Sequence, residues 1–383
     1  MDQRLVLLGV GHTHAGFLRN WQRCPIPNCQ LTCISAFPTA TYSGMLPGVL
    51  ASQISDQAWR LDLQTLCRTA GATFIVAQTT GLDLQRRRLR LKDHPDVPFD
   101  VLSINIGSVP AGLPSNAGAD ELISIKPMQT FLDRLNRRLN SLKPRRNTSP
   151  TIAIVGGGVA SIEVALCLSD WLERRQHQTE LTIFTDREEA AADVSWIGRK
   201  RLHRLLSGRG VKMRTCQRVL NVTDGIIETE DATRHVADVV IWMTQASPPP
   251  LIATLGLPQD KRGFVATKPT LQSTGDDRIF AVGDCGTVTS MPTAKAGVYA
   301  VRQTPVLTHN IAAVLSGRPT VAFKPQKRFL KLINTGDGKT MLVYEPIAIH
   351  ARWCRYLKQH IDTRFMRQFG AAVGKESSTN VIS

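Results

Sequence analysis

The chain has 383 residues, which is long enough for two or three domains with full hydrophobic cores. Its 47 Lys and Arg residues outnumber its 31 Asp and Glu residues and give a formal net charge of +16. No apolar run approaches the roughly 20 residues of a membrane-spanning helix, and the chain starts directly with a predicted strand, so we expect a cytoplasmic protein.

The positive charge raises the question of a partner. Nucleic acid is disfavoured because no zinc finger, helix-turn-helix or aromatic RNA-binding motif accompanies the charge. The most basic stretch, QRRRLRLK at residues 85–92, alternates as an exposed hairpin strand does. An anionic membrane surface suits the same charge, which allows a peripheral location on the inner face of the cell membrane.

Residues 4–14, RLVLLGVGHTH, run an apolar strand through Gly9 and Gly11 into a helix. Glycine lets the backbone turn sharply beside a pyrophosphate, and a helix N-terminus favours the phosphate charge. A metal site at the His-x-His pair is disfavoured because no third ligand is evident. The residues expected to face the phosphate are His12, Thr13 and His14.

The next segments supply further candidates for this nucleotide site. The predicted strand at residues 31–35 ends in Ser35, where such domains usually place an acid for the adenosine ribose. Residues 41–48, TYSGMLPG, contain two glycines and a proline, which predicts a shaped loop. A buried strand over residues 101–107, VLSINIG, returns toward the cofactor and contributes Asn105 and Gly107.

A second strand, glycine turn and helix follow at residues 152–163, IAIVGGGVASIE. Gly156 and Gly158 form the turn, and Ser161 takes the small helix-packing position. Before this motif, residues 126–142 have the apolar spacing of an amphipathic helix, and residues 143–150, KPRRNTSP, form a charged linker. Two dinucleotide sites are therefore predicted in one chain.

Further along, Asp186 follows the predicted strand LTIF at residues 181–184, where a carboxylate can bind the ribose hydroxyls of NADH. Arg187 beside it can instead hold the 2′-phosphate of NADPH; NADH is preferred. Another buried strand is predicted at residues 239–244.

Residues 279–285, IFAVGDC, form an apolar strand that closes on Gly283 and Asp284. An acid in this position can accept a hydrogen bond from a polyol hydroxyl. A helix start is predicted within residues 292–303, PTAKAGVYAVRQ, and includes Lys295 and Ala296.

In this order, the motifs resemble two-dinucleotide flavoproteins of the pyridine nucleotide-disulfide oxidoreductase superfamily. Five stretches are more narrowly similar to the NADH dehydrogenase-like module fused ahead of selenophosphate synthetase: GVGHTHAGFLRNW, TYSGMLPG, KPMQTFLDRL, AKAGVYAVRQTPVL and RFLKLINTGDGK. The likeness spans roughly residues 4 to 370 and extends more distantly to type II NADH:quinone oxidoreductases. The sequence ends at Ser383, so we expect the synthetase half to be absent.

The resemblance implies an α/β fold with two Rossmann-like dinucleotide-binding domains and a C-terminal segment. The implied limits are 1–120 and 263–322 for an interrupted FAD domain, 121–262 for the NAD(P)H domain, and 323–383 for the C-terminal segment. The implied reaction passes hydride from NADH or NADPH to FAD and electrons on to a quinone-like acceptor.

The resemblance also implies roles for single residues. The Leu-Pro segment touches the flavin ring in these families, which singles out Met45, Leu46 and Pro47. Glu163 matches a glutamate near flavin and nicotinamide; it positions the nicotinamide or handles a proton, unless it only stabilises its helix N-terminus. Lys295 adds positive charge at the flavin or binds a quinone carbonyl, the alternative being a solvated lysine.

The eight cysteines include no Cys-x-x-Cys pair, and we expect reduced thiols. One rival function, a sulfide or selenium-compound oxidoreductase, would use Cys285 beside the flavin. Another is a non-catalytic, nucleotide-sensing partner of selenophosphate synthetase.

The last segment, residues 347–369, places aromatic and apolar residues at helical spacing among arginines and lysines. Two interpretations remain open: a helix in the membrane interface, or a helix packed on the FAD domain or in a homodimer. The tail at residues 375–383, KESSTNVIS, is expected to be disordered.

Overall fold

A computed structural model describes residues 2–114, 120–142, 149–176 and 179–370. The first of its two five-stranded parallel sheets has the spatial order Ile279–Ala281, Val101–Ile104, Gln3–Leu8, Cys29–Ser35 and Thr73–Val76. One of these strands comes from far along the chain, so the sheet is complete only when both ends of the first domain meet. The second domain is inserted between them.

The first sheet is apolar on both faces because both are covered. Leu5 and Leu7 pack with Phe17 on the helical side, whereas Val6 and Leu8 pack with Leu89 on the other side. The main helices of this domain are His12–Arg23, Leu63–Thr69 and Gly297–Leu315. The opposite face carries an antiparallel sheet of Thr79–Asp83, Arg88–Leu91 and His94–Pro98.

The predicted hairpin strand within residues 85–92 is confirmed. Leu89 and Leu91 are buried, while Arg88 and Arg90, which alternate with them, are exposed.

The second sheet repeats this layering in the order Leu122–Ser124, Val239–Trp242, Thr151–Val155, Glu180–Phe184 and Lys212–Arg214, all parallel. Its helices are Phe131–Ser141, Val159–Arg174 and Trp196–Gly208, and a small antiparallel sheet of Val219–Thr223, Ile226–Thr229 and Arg234–Val236 covers the other face. Two parallel α/β units confirm the predicted fold class. The exact domain limits remain predictions, and residues 143–148 of the linker and 371–383 at the C-terminus lie outside the described residues.

The third unit is an antiparallel sheet of Lys331–Asn334, Thr340–Tyr344 and Ile347–Ala351. It leads into the helix Arg352–Arg367, here called the C-terminal helix. The sequence predicted helical spacing from residue 347, and this prediction is wrong for residues 347–351. These five residues form an edge strand that pairs with Thr340–Tyr344.

Short elements complete the connections. The strands are Thr39–Thr41, Arg60–Asp62, Val109–Pro110, Ala246–Ser247, Val265–Thr267 and Gly286–Val288. The short helical segments are Ser43–Met45, Leu46–Leu50, Met128–Thr130, Leu251–Thr254 and Gly283–Cys285.

The helices His12–Arg23 and Gly297–Leu315 approach closely at a glycine. Thr13 Oγ1 donates to the carbonyl of Ala300 at 2.7 Å, and Thr304 Oγ1 donates to the carbonyl of Thr13 at 3.3 Å. A Cβ on Gly16 would lie 2.7 Å from the side chain of Thr304. This contact fixes the helix that begins at the first glycine turn against the helix that follows Asp284.

We predict that Gly16→Ala lowers the free energy of unfolding. The gain in helix propensity, about 1 kcal/mol, is outweighed by overpacking against Thr304, which typically costs about 1–3 kcal/mol. Gly208→Ala is the matched control, because a Cβ there meets nothing within 4 Å. Urea unfolding should show a loss for the first variant and none for the second; equal stability gains would contradict the contact.

Candidate functional site

Three turns of the first domain meet at the side chain of Asn105. Its amide oxygen accepts the N–H of His14 at 3.3 Å, and its amide nitrogen donates to the carbonyl of Val282 at 2.9 Å. A Cβ placed on any of three glycines would lie within 2.6 Å of Asn105; these are Gly9, Gly11 and Gly283. Glycine is thus required at these turns for packing as well as for approach to a phosphate.

The two histidines of the first turn differ in position. His14 occupies the third glycine position of the motif, and its ring nitrogens lie 2.5 Å from the Gly9 carbonyl and 2.7 Å from Ser103 Oγ. Burial lowers the pKa of His14 to about 4, so the ring is neutral. The prediction that the His14 side chain faces phosphate is therefore wrong; it fastens the helix to the sheet. The same correction applies to the hydroxyl of Thr13, which is bonded to Ala300.

His12 remains a candidate for contact with the cofactor. Its Nε2 atom is buried and has no hydrogen-bond partner among the described residues. The ring lies 5.4 Å from that of Tyr42 and 5.8 Å from that of Phe365. Burial lowers the pKa of His12, so this unsatisfied nitrogen belongs to a neutral ring beside the glycine turn.

Residues that follow three different strands form the Asp284 cluster, defined as Ser108, Lys126 and Asp284. Ser108 Oγ donates to Asp284 Oδ2 at 2.9 Å, and Lys126 Nζ donates to Ser108 Oγ at 2.6 Å. Lys126 Nζ also lies 3.4 Å from Asp284 Oδ2. Lys126 belongs to the segment that leads into the second domain, so the cluster joins the two domains.

Lys295 lines a cavity that also contains Gly283, Asp284 and Ala296. Its ammonium group donates to the Gly286 carbonyl at 2.6 Å and to Thr287 Oγ1 at 2.8 Å, and lies 4.0 Å from the centre of the Phe264 ring. The helix begins at Gly297 after the N-cap Ala296, so Lys295 precedes its first turn. These contacts exclude the solvated alternative, and burial lowers the pKa of this lysine. A role of Lys295 at the flavin stays a prediction.

The loop TYSGMLPG is enclosed by protein. Met45 is 2% exposed and Leu46 is 3% exposed, and Pro47 opens the short helix Leu46–Leu50 that packs on Val159–Arg174. A surface turn is therefore excluded for these residues. Their contact with the flavin ring remains a prediction.

The second glycine turn has the expected form. Gly156 has a φ of +132°, and a Cβ there would lie 2.3 Å from the Met243 carbonyl. Ser161 is buried, with Oγ 3.4 Å from the same carbonyl. A Cβ on Gly158, the N-cap of the following helix, would meet nothing within 4 Å, which leaves room for a phosphate.

The ribose positions of both dinucleotides lie where strands end. Asp186 is exposed two residues beyond the strand Glu180–Phe184, next to Arg187. In the first domain, Ser35 ends its strand, and its Oγ accepts the N–H of Phe37 at 3.2 Å. Ser35 thus keeps its O–H and one lone pair for an adenosine ribose.

The Glu163 cluster, defined as Glu163, Lys358, Asp362 and Tyr42, brings three units together. Glu163 Oε1 accepts the backbone N–H of Asn334 at 2.7 Å. Lys358 Nζ donates to the Gly44 carbonyl at 2.6 Å and to Asp362 Oδ2 at 2.9 Å. The hydroxyl of Tyr42 is hydrogen-bonded to Asp362, and its ring stacks on Phe365 at 4.5 Å.

Burial controls the charges of this cluster. Removal from water raises the pKa of Glu163 to about 7, although Lys358 and the Asn334 N–H oppose the shift. Burial also disfavours the charge on Lys358, but Asp362 and Glu163 outweigh it and raise the pKa of the lysine. Glu163 can therefore gain or lose a proton near neutral pH beside a permanently charged lysine.

Sequence reasoning identified Glu163 but missed its partners. Lys358 and Asp362 are four residues apart on a basic helix, a spacing that usually indicates an exposed ion pair. The same helix turns Phe365 and Phe369 inward, while Trp353, His360 and Ile361 are exposed, so its aromatic residues do not share one face. The inward side of the C-terminal helix thus packs on the first domain.

Cys285 does not provide a reactive thiolate. It is fully buried, its Sγ lies 3.3 Å from the Ile104 carbonyl and 3.2 Å from the Val282 carbonyl, and burial raises its pKa to about 11. The chalcogen-carrying role is therefore not favoured. All eight cysteines are free, and no group of three or more potential metal ligands occurs within the ranges that the structure describes.

The first cleft fits FAD, the cofactor that the sequence resemblance implies. A buried nitrogen of His12 lacks a partner among the described residues, and a Cβ on Gly107 or Gly297 would meet nothing within 4 Å. Asp284 stands at the same edge with its second oxygen available for a polyol hydroxyl. The residues that would hold FAD are Gly9, Gly11, His12, Asn105, Gly107, Gly283, Asp284 and Ala296, the last at a helix N-terminus.

Comparison with known proteins agrees with this assignment. Residues 4–304 match the family model described as pyridine nucleotide-disulphide oxidoreductase. Demethylphylloquinone reductase of Synechocystis sp. is 28% identical over 321 residues, covering 79% of this chain and 78% of that protein.

Solved structures share the fold. The sulfide:quinone oxidoreductase of Aquifex aeolicus has a TM-score of 0.78 at 17% identity, covering 96% of this chain and 91% of that one. NDH2 of Plasmodium falciparum in complex with NADH has a TM-score of 0.76 at 13% identity, covering 98% and 100%. With two glycine turns, a family match over most of its length and a cleft that fits FAD, the chain belongs to the pyridine nucleotide-disulphide oxidoreductase family and is an FAD- and NAD(P)H-dependent oxidoreductase.

Proposed function

We propose that this protein oxidises NADH and passes the electrons, through FAD, to a quinone-like acceptor that binds beside the Glu163 cluster. The observation that carries the proposal is the buried carboxyl of Glu163, which titrates near neutral pH beside Lys358. Reduction of a quinone consumes two protons with two electrons, so a proton-holding group at the acceptor is needed. The demethylphylloquinone reductase named above, a relative that acts on a quinone, supports the same class of acceptor.

Each residue has a distinct task in this scheme. Bound FAD supplies the chemistry that accepts hydride and releases electrons. Gly158 and Asp186 bind the pyrophosphate and ribose of NADH, and the loop from Gly44 to Pro47 lies against the flavin. Glu163 donates a proton to the acceptor, and Lys358 holds the acceptor oxygen and the charge that develops on it.

We predict that Glu163→Gln slows acceptor reduction by about 100-fold, the usual scale for loss of a general acid. Because the folded pKa is about 7, Glu163 is protonated below and ionised above that pH, so the wild-type rate should fall as pH rises through about 7. The variant should lose this pH dependence. Stopped-flow oxidation of prereduced enzyme by a short-chain quinone measures both effects.

Glu173→Gln, an exposed change on the same helix, is the control and should keep the wild-type profile. A Glu163→Gln enzyme with an unchanged profile would exclude Glu163 as the proton donor. The rate and affinity of flavin reduction by NADH, measured in the same variant, test the alternative role at the nicotinamide; unchanged values would remove Glu163 from that step.

NADH is the proposed donor because the exposed carboxylate of Asp186 can accept hydrogen bonds from ribose hydroxyls and repels a 2′-phosphate. Two arginines lie close in the fold: Arg187 follows directly, and the carbonyl of Arg214 accepts the N–H of Thr185 at 2.9 Å. Removal of the carboxylate would leave their charges uncompensated.

We therefore expect Asp186→Ala to lower kcat/KM for NADH by roughly tenfold, about one lost charged hydrogen bond, and to raise it for NADPH. Glu188→Ala, an exposed acid two residues further on, should change neither. Steady-state kinetics with both nucleotides would contradict the assignment if the preference of Asp186→Ala stayed that of the wild type.

The finer proposal for location is contact with an anionic membrane surface, from which a quinone can enter. The exposed apolar patch, defined as Trp196, Ile197, Tyr344, Ile347, Ile349, Trp353 and Tyr356, includes side chains 36–66% exposed. The two elements that carry it pack together, since Arg201 donates to the Ala348 carbonyl and Gly198 lies against the side chain of the same residue. Within the described ranges no helix is long and apolar enough to cross a bilayer. Exposed tryptophans with neighbouring cations such as Lys200 suit the interface of an anionic bilayer.

We predict that the protein floats with anionic liposomes at low salt and that Trp353→Glu with Trp196→Glu abolishes flotation. Leu220→Glu, on an exposed sheet of the second domain, is the control and should float normally. If the wild type binds no lipid but sediments as a dimer that the double variant dissociates, the patch is a homodimer contact and the membrane assignment fails.

A further inference from the structure

The flavin needs a positive charge near its ring, and the sequence offered Lys295 for it. Hydride transfer adds negative charge to the flavin, and a nearby cation stabilises that state. Lys295 lines the cavity that contains Gly283 and Asp284, but its ammonium group is bonded to Gly286 and Thr287 and lies over the Phe264 ring. A second lysine, Lys126, lies 3.4 Å from the carboxylate of Asp284 itself.

We propose that Lys126 is this residue: a positioning lysine, contributed by the second domain, that holds Asp284 and places its charge beside the bound flavin. The proposal rests on the function above only in requiring bound FAD. It is independent of the acceptor and of the NADH site.

The geometry of the Asp284 cluster carries the proposal. Lys126 donates to Ser108, Ser108 donates to Asp284 Oδ2, and Lys126 itself lies 3.4 Å from the same oxygen. These contacts use two N–H groups of the ammonium and leave one for a ligand. They also use a single oxygen of Asp284, so the other can accept a hydroxyl of the cofactor.

The side chains of Lys126 and Asp284 are 30% and 22% exposed, so the pair is largely withdrawn from water. The unsatisfied Nε2 of His12 lies near both charges, since Asp284 and Lys126 are the charged groups that most affect that ring. An unpartnered buried nitrogen, a carboxylate with one oxygen unused and a lysine with a spare donor are thus close together. His12 belongs to the glycine turn where FAD fits.

The segment that carries Lys126 is braced on both sides. Lys126 N donates to Ser124 Oγ at 3.3 Å, and Arg134 donates to the carbonyls of Ser124 and Pro127 at 2.8 and 3.2 Å. Arg60 of the first domain donates to the Gln129 carbonyl at 2.9 Å. The lysine is therefore held in place by both domains before any cofactor binds.

The test is the midpoint potential of the bound flavin, measured by reductive titration against a reference dye without NADH or quinone. Lys126→Gln keeps a hydrogen-bond donor to Ser108 but removes the charge. We expect the ratio of reduced to oxidised flavin at a fixed potential to fall at least tenfold, which for a two-electron couple corresponds to about 30 mV. Lys126→Arg, which keeps the charge, should restore most of the ratio.

Lys268→Gln is the matched control, because Lys268 also pairs with an aspartate, Asp277, but lies on the surface with the two side chains 43% and 67% exposed. It should leave the potential unchanged. Loss of FAD from Lys126→Gln, with retention in Lys126→Arg and Lys268→Gln and an unchanged melting temperature, would also support the proposal. If Lys126→Gln does not fold, the double variant Lys126→Gln/Asp284→Asn is used, because it leaves no unpaired carboxylate. Its bound flavin is then titrated in the same way. A potential and FAD retention equal to the wild type in the folded variant would overturn the assignment.

Discussion

The meeting of two glycine turns, one with Gly9 and Gly11 and the other with Gly283, at Asn105 is the constraint on which the cofactor edge depends. The amide bonds the start of the first helix on one side and the turn after the strand Ile279–Ala281 on the other. No side chain larger than hydrogen fits at Gly9, Gly11 or Gly283 while Asn105 stays in place. Segments from both ends of the first domain are thus held at one point. The phosphate-facing turn and the acid that follows Gly283 consequently have a fixed spacing before any cofactor binds, which is what a preorganised site requires.

The charged groups inside the protein differ in how well they are paired, and the less well paired group is suited to proton transfer. Burying a lysine or a carboxylate is costly unless it is paired and hydrogen-bonded. Lys358 meets this requirement with Asp362 and the Gly44 carbonyl. Glu163 accepts a hydrogen bond from the N–H of Asn334 and has Lys358 as a nearby charge, but these do not offset its removal from water, and its pKa rises to about 7. A group that exchanges its proton at little cost near neutral pH is the kind that general acid catalysis favours.

Much of the fold could be predicted from the sequence because its signals are local. Apolar strands that end in glycine, such as Gln3–Leu8 and Thr151–Val155, identify the parallel sheets, and alternation around Leu89 identifies the hairpin. The Glu163 cluster could not be predicted, because Lys358 reaches Gly44 across 314 positions of sequence. The prediction for His14 was wrong for a related reason. Its position in the motif indicates a contact with phosphate, but its ring nitrogens are hydrogen-bonded to the Gly9 carbonyl and to Ser103 Oγ. Lys295 likewise has partners that only tertiary packing reveals.

The proposed chemistry draws its groups from three units, and this has a consequence for their order of action. Glu163 lies on the helix whose N-terminus would hold the nicotinamide dinucleotide, Lys358 lies on the C-terminal helix, and Gly44 lies on the loop expected at the flavin. Because Asn334 binds Glu163 and also donates to Gln53 at 2.8 Å, the C-terminal sheet connects the second domain to the first. A movement of the second domain that displaced NADH from the flavin would also displace Glu163 from Lys358. In the proposed scheme, proton delivery to the acceptor and hydride delivery to the flavin therefore require the same arrangement of domains, and the C-terminal unit contacts both domains.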